Sequence, residues 1–397
     1  MKGLAGTYLK FITGAAVLVQ ILNLGCKKNY SPAVITAPNN YLVVKAVINT
    51  GTDSTIIRLS RTVPISSAAK VIPETGAVIT IVSDANVTYP VVEESDGYYK
   101  GAIINSNAPV KYSLKIFTKD GKSYQSDFVP FKNSPPIDSV YFKIAGDGIG
   151  IYADTHDPAG NSRYYRWDYT DTYIFNSAFE SVAYHSKVPS DTVLFRPVGD
   201  EIYQCWKSDT SKNILTSTSA KLTADVISDN LIISIPSNSE KIAHRYSIQV
   251  TQYALTPEAY NYYQQLSKNT EKIGTIFDPQ PSELPGNVHC ISNPSEPVIG
   301  YITAGAPSST RVFIDNRQLP AWRADNPYSG CILASALYKN PVFNKNEVQA
   351  YIYTDIDMPV EPIYVMGTIV GWTAGSPSCV DCTLRGTNKR PLWWTDN

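Results

Sequence analysis

Strand-length runs of β-branched and aromatic residues recur from Tyr41 to the C-terminus, broken by tight-turn dipeptides, and one stretch alone carries a helical period. That pattern confines the chain to antiparallel β architecture. Tyr41-Leu-Val-Val-Lys-Ala-Val-Ile48 is rich in β-branched residues, Thr55-Ile-Ile-Arg-Leu-Ser60 returns after a turn, and Ala77-Val-Ile-Thr-Ile-Val82 follows. In Tyr112-Ser-Leu-Lys-Ile-Phe117, alternation puts Tyr112, Leu114 and Ile116 on one face. Asp96-Gly97 and Asp120-Gly121 are hairpin turns, because Asp and Gly tolerate positive φ. Closely spaced strands without helices between them predict a β-sandwich of immunoglobulin-like or transthyretin-like size over residues 41–132. Ser134-Pro135-Pro136 closes it as a stiff spacer.

Residues 137–397 read as a second, larger β-sandwich-like unit with one inserted helix and a loop-rich C-terminus. Gly146-Asp-Gly148-Ile-Gly150 is a hairpin turn and not a nucleotide loop, since Ile151-Tyr-Ala-Asp154 continues as strand. In Tyr164-Tyr-Arg-Trp-Asp-Tyr169, alternation places Tyr165, Trp167 and Tyr169 on one face and Tyr164, Arg166 and Asp168 on the other. Two readings follow: a core face backed by a solvated face, or an aromatic platform for a sugar or peptide. The helix spans about 257–273, with Thr256 as N-cap, Pro257 at the first helical position and Glu258 complementing the dipole. Ala259, Tyr262, Tyr263 and Leu266 form its buried stripe and Gly274 its stop. Strands are expected at 298–302, 311–315, 349–354 and 363–371, and Trp393-Trp394 are expected to dock on the body or on a partner.

The first 25 residues predict an export signal. Lys2 and Lys10 give a positive start, and Phe11 to Leu24 is apolar but interrupted by Gln20 and Asn23, too short for a stable span. Gly25-Cys26 then ends it as a bacterial lipoprotein signal does, making Cys26 the lipidation site and residues 26–40 a tether. Several acyl chains on one residue anchor a protein permanently. With 34 basic residues against 35 acidic, the chain lacks the basic excess of a nucleic-acid binder, and 43% apolar residues exclude wholesale disorder.

Beyond Cys26 there are five cysteines: Cys205, Cys290, Cys331, Cys379 and Cys382. Export permits disulfides, and an odd number leaves one thiol over; Cys205, Cys290, Cys379 and Cys382 are the candidates, with pairing undetermined. Cys379-Val-Asp-Cys382 has three readings: structural disulfides, a redox motif, or a zinc site recruiting His289 and Cys290. Gly375-Ser376-Pro377 before it and loop residues after it disfavour the redox reading. Motif searches find no zinc-hydrolase His pair, nucleophile elbow or phosphate-cradling loop. Asp154 and His156 fall on one strand face as a weak acid–base or metal candidate, with the alternative of a turn entered through Asp157-Pro158. No catalytic set, metal or cofactor is assigned.

Several pieces in order resemble one family. They are Cys26, Cys205-Trp206, Tyr246-Ser-Ile-Gln-Val250 with Leu255-Thr256 and the helix, Phe277-Asp-Pro279, Gly286-Asn287-Val288, Asn293-Pro-Ser-Glu-Pro-Val-Ile-Gly300-Tyr301, and Cys379-Val-Asp-Cys382 with Gly386-Thr-Asn388 and Pro391. The chain is similar to the Bacteroidota outer-membrane lipoproteins of the domain-of-unknown-function 4249 family. The resemblance implies an envelope lipoprotein of the kind often encoded beside TonB-dependent transporters, and supplies no catalytic or binding residues. The expectation is a non-enzymatic outer-membrane lipoprotein, an accessory subunit that partners a transporter barrel. The alternative is a surface glycan- or peptide-binding lipoprotein using Tyr165, Trp167 and Tyr169. Lys27-Lys28 stand where acidic residues often signal surface display, so the face of the membrane stays open.

Overall fold

A computed structural model describes residues 40–63, 71–105, 110–271 and 284–396. The export segment with Cys26, the tether up to residue 39, the helix stop at Gly274 and the Phe277-Asp-Pro279 piece lie outside the described residues. Leu42–Asn49 turns back into Ile56–Arg61, with Leu42, Val44, Ala46 and Ile48 inward and Lys45 outward. One continuous sheet then runs through Ser123–Ser126, Lys111–Phe117, Val78–Ser83, Thr88–Ser95 and Tyr98–Gly101 to those two strands. Strands far apart in that order share one core: Leu42 and Ile48 pack with Tyr112 and Leu114. The sheet therefore folds over on itself in the manner of a sandwich. The expected Asp-Gly turns are present, with φ of 72° at Gly97 and 86° at Gly121.

Two strands of this sheet come from far down the chain. Val288–Cys290 pairs with Ser123–Ser126, and Thr303–Gly305 pairs in parallel with Leu42–Asn49. Segment 288–305 thus packs into the first core, and the boundary at 137 does not separate two self-contained stretches. Val298–Ile302, expected as a strand, makes a single bridge from Ile299 to Val43, because Gly300 adopts φ 148°. Asn287 staples the crossing: its Nδ2 donates to the Ile302 carbonyl (2.9 Å) and its Oδ1 accepts from the Ile302 N–H (2.7 Å). The Ser134-Pro135-Pro136 spacer is clamped as well. Ser134 Oγ accepts from Ala254 N–H (2.9 Å), and Gln252 Nε2 donates to the Pro135 carbonyl (2.8 Å).

The second sandwich packs two sheets around Ile151, Trp167, Tyr246 and Ile248. One sheet is Ile137–Ala145, Gly148–His156 and Val226–Pro236; Gly146-Asp147 makes the expected hairpin turn. The other orders Gln204–Thr210, Tyr164–Asn176, Arg245–Ala254 and Ser308–Asp315, with Leu215–Thr218 also on Tyr164–Asn176. The helix Pro257–Glu271 starts as expected, Thr256 Oγ1 accepting from Ala259 N–H (3.2 Å). Its buried side is wider than the predicted stripe. Tyr262 lies 5.0 Å from Tyr301 of the returning segment, and Tyr260 lies 5.0 Å from Tyr164 of the second sandwich. The helix is wedged between the two, which sequence periodicity does not show.

A small C-terminal subunit departs from expectation. Residues 349–354 are not a strand: Val348–Ile352 is a π-helix that buries Val348 and Ile352 beside Trp372. Local burial overrides β propensity there. Residues 363–371 are not one strand but parts of a hairpin, Met358–Val365 and Thr368–Gly375, turning at Met366-Gly367. The tail docks on the body: Trp394 is buried against Phe313 (5.4 Å between rings) and Trp206 (6.4 Å), and Arg311 lies 3.5 Å over the Trp393 ring.

Candidate functional site

The strand Tyr164–Asn176 separates two environments. Inward, Tyr165 and Trp167 are 0% exposed. Tyr165 donates to Asp225 (2.8 Å) and Trp167 Nε1 to Ser217 Oγ (2.7 Å), which satisfies the polar ends of both rings inside the core. This corrects the aromatic-platform expectation: the Tyr165, Trp167 and Tyr169 face is core, with no ring face of Tyr165 or Trp167 left for a ligand. Tyr169 is half-buried against the same core and reaches the cleft described next.

Outward, the face expected to be solvated is not. Arg166 is 6% exposed. Its guanidinium carbon lies 4.4 Å from the ring centre of Tyr253, its cross-strand partner, and 4.7 Å from that of Tyr263 on the helix. Such a sandwich suits arginine, whose planar, weakly hydrated cation stacks on aromatic faces. Nη2 donates to Asp168 Oδ2 (3.0 Å), while Nε is buried without a partner. Burial opposes the guanidinium charge, but Tyr263 and Asp168 outweigh it, and the group holds its proton more tightly than in water. Burial also pushes the Tyr253 hydroxyl up, keeping it neutral.

Between this face and the outer face of the first sandwich lies a cleft of about 540 Å³. The first sandwich contributes Lys45, Asp53 and Arg58; the second contributes Arg166, Asp168 and Tyr263. Ser54, Thr170, Thr210, Ser211, Thr251 and Ser309 add hydroxyls. Arg58 lies 5.1 Å over Tyr98 at the rim. The lining offers hydrogen bonds of both senses and a small positive excess, the equipment for holding a polar ligand. Arg166 was the residue that sequence reasoning missed. An arginine amid four aromatics in one strand was a signal, but its contact with Tyr263 depends on where the helix lands.

The other candidates separate in space. His156 Nδ1 pairs with Asp138 (2.8 Å), whereas Asp154 accepts from Ser139 Oγ (3.1 Å) and Asp229 N–H (2.7 Å), so Asp154 and His156 form no pair. Asp157 makes the turn, accepting from Ala159 and Asn161 N–H groups. Cys205 is bonded to Cys382 and Cys331 to Cys379. The two cysteines of the Cys-x-x-Cys therefore belong to different bridges, which removes both its redox and its zinc reading. Cys290, expected among the disulfides, is the free thiol among the described residues, and Cys331 takes its place. His289 pairs with Asp127 (3.1 Å). Among the described residues, no three His, Cys, Asp or Glu side chains gather as a metal site. Because Cys290 is buried in the first core, iodoacetamide is expected to leave it unmodified in native protein and to label it once under denaturant. Mass spectrometry of non-reduced samples checks this; labelling at the native rate of an exposed thiol would contradict the assignment.

The fold and cleft define a mainly β protein of two sandwich-like units, with one inserted helix and a polar recess between the units. A family model described as "Domain of unknown function (DUF4249)" matches residues 27–311, and the chain belongs to that family. No curated protein matches. Among solved structures, the Yersinia pseudotuberculosis adhesin InvE is matched over 55% of each chain at 12% identity and a TM-score of 0.16, a similarity too low to carry any argument. The chain thus spans about half the length of that structure.

Proposed function

We propose that this protein is a non-enzymatic lipoprotein of the outer membrane that binds a ligand as the accessory subunit of a TonB-dependent transporter. The observation that carries the binding part is the cleft, whose lining of stacked cation, carboxylates, tyrosines and hydroxyls is built to hold a polar molecule. Two disulfides in the body support an oxidising compartment, consistent with the signal-like segment that ends at Gly25-Cys26. The transporter partner is what the family resemblance implies. No described helix is long and apolar enough to cross a membrane, so attachment in this reading falls to the acylated Cys26.

Cys26→Ser is expected to abolish incorporation of labelled palmitate and to release the protein from the membrane fraction. Wild-type protein solubilised from native membranes is expected to bring down an outer-membrane barrel. Unchanged acylation in Cys26→Ser would overturn the anchor, and repeated purification without a barrel would overturn the transporter role.

A further inference from the structure

We propose that the cleft binds an acidic saccharide, with the sugar carboxylate held between Arg166 on one wall and Arg58 and Lys45 on the other. The inference rests on the binding role proposed above and specifies its ligand. It begins with Arg166. Buried donors are almost always paired, yet Nε of this buried guanidinium has no partner and Nη2 alone is bonded to a protein carboxylate. Tyr253 and Tyr263 hold the guanidinium carbon at 4.4 and 4.7 Å from their ring centres, and the side chain lines the cleft, where arginine's fork suits a carboxylate.

Charge points the same way. Three cations line the cleft against two carboxylates, and Asp168 is already engaged with Arg166. A ligand bearing one negative charge balances the lining, and removal from bulk water makes that balance matter. The rest of the polar lining is hydroxylic, including Thr170, Ser211 and Thr251. Hydroxyls donate and accept, and so match the vicinal hydroxyls of a sugar. Tyr98, 42% exposed at the rim, offers a flat apolar face to ring C–H groups.

An acidic peptide satisfies the charge but does not match the hydroxylic lining as a sugar does. On the first wall strand addition is closed to it, because Leu42–Asn49 is paired by Ile56–Arg61 on one side and, along Val47–Asn49, by Thr303–Gly305 on the other. Ser308–Asp315 is an edge strand of the second wall, so peptide binding is one of the outcomes the titration below reads. The volume, about 540 Å³, suits a short oligosaccharide and lies within the range of roughly 300–1,000 Å³ usual for small-ligand sites.

Calorimetric titration of the detergent-solubilised full chain tests this, using a trisaccharide that carries one galacturonate, the same trisaccharide with galactose in its place, an acidic tripeptide and inorganic phosphate. The acidic trisaccharide is expected to give saturable heat. The neutral one, which loses the charge-assisted contact, and the peptide and phosphate, which lack the vicinal hydroxyls, are expected to bind at least about tenfold more weakly. Lys45 and Arg58 are exposed, so Lys45→Ala/Arg58→Ala keeps the fold and is expected to weaken the acidic trisaccharide about tenfold or more. Arg166→Gln is expected to remove binding; its circular dichroism reports whether it folds, and the exposed double variant decides if it does not. No saturable heat from the acidic trisaccharide, tighter binding of peptide or phosphate, or unchanged affinity in the double variant would overturn the inference. Such a result leaves the acylation and pull-down outcomes untouched, so ligand and location fail separately.

Discussion

Replacing both Cys205 and Cys382 by alanine is expected to lower the unfolding free energy by roughly 3–5 kcal/mol, the range for losing a native disulfide that closes a long loop. The bridge joins residues 177 apart in sequence, and loop-closure entropy grows with that separation. Both cysteines are fully buried, so alanine avoids leaving an unpaired hydroxyl in the core. The bond ties the strand Gln204–Thr210 to the turn at Cys382–Leu384. Beside it, Trp206 N–H donates to the Thr387 carbonyl (2.8 Å), and Thr387 N–H donates back (2.9 Å). Urea denaturation followed by tryptophan fluorescence measures the effect, because Trp206 and Trp394 meet at this junction. A change below about 1 kcal/mol would mean that the packing alone holds the C-terminus.

Gly300→Ala is the second large effect, expected to cost about 3 kcal/mol or more, since backbone strain and a backbone clash combine. At φ 148° a side chain is disfavoured, and a Cβ there would sit 2.2 Å from the Val44 carbonyl oxygen. The neighbouring bonds, Val44 N–H to the Ile299 carbonyl (2.8 Å) and Ile299 N–H to the Leu42 carbonyl (2.9 Å), cannot both persist if the chain moves away. Hydrogen exchange should rise in 288–305 and in Leu42–Asn49 together. Gly146→Ala is the control: φ is 59° with nothing within 4 Å of the added carbon, so strain alone costs about 1 kcal/mol. Equal losses at the two positions would show that docking of the returning segment contributes little.

Alternation made the strands legible. In Leu42–Asn49 or Lys111–Phe117 one face carries large apolar side chains, and a sheet with one buried face admits one register. The Asp-Gly turns and the Thr256-Pro257 helix start were legible for the same kind of reason, as each rests on the conformational preferences of two or three adjacent residues. The same rule failed for 349–354. There Val348 and Ile352, four apart, find a common pocket beside Trp372, and the backbone winds to bury both. Alternation also separated the two faces of Tyr164–Asn176 correctly but could not say what covered each. Trp167 met a second sheet, and Arg166 met a helix from residues 257–271.

The sequence by itself determined most of the strands, the tight turns, the helix start at Thr256-Pro257, and the presence of an odd cysteine. These depend on neighbours along the chain, where steric preference and periodicity act within a few residues. Only the tertiary structure decided that 288–305 returns to the first sheet, that Cys290 stays out of the two disulfides, and that Arg166 lines a cleft between the two units. Each of those depends on surfaces brought together from more than 40 residues apart, where complementarity of shape and charge selects one arrangement among many that the local pattern allows.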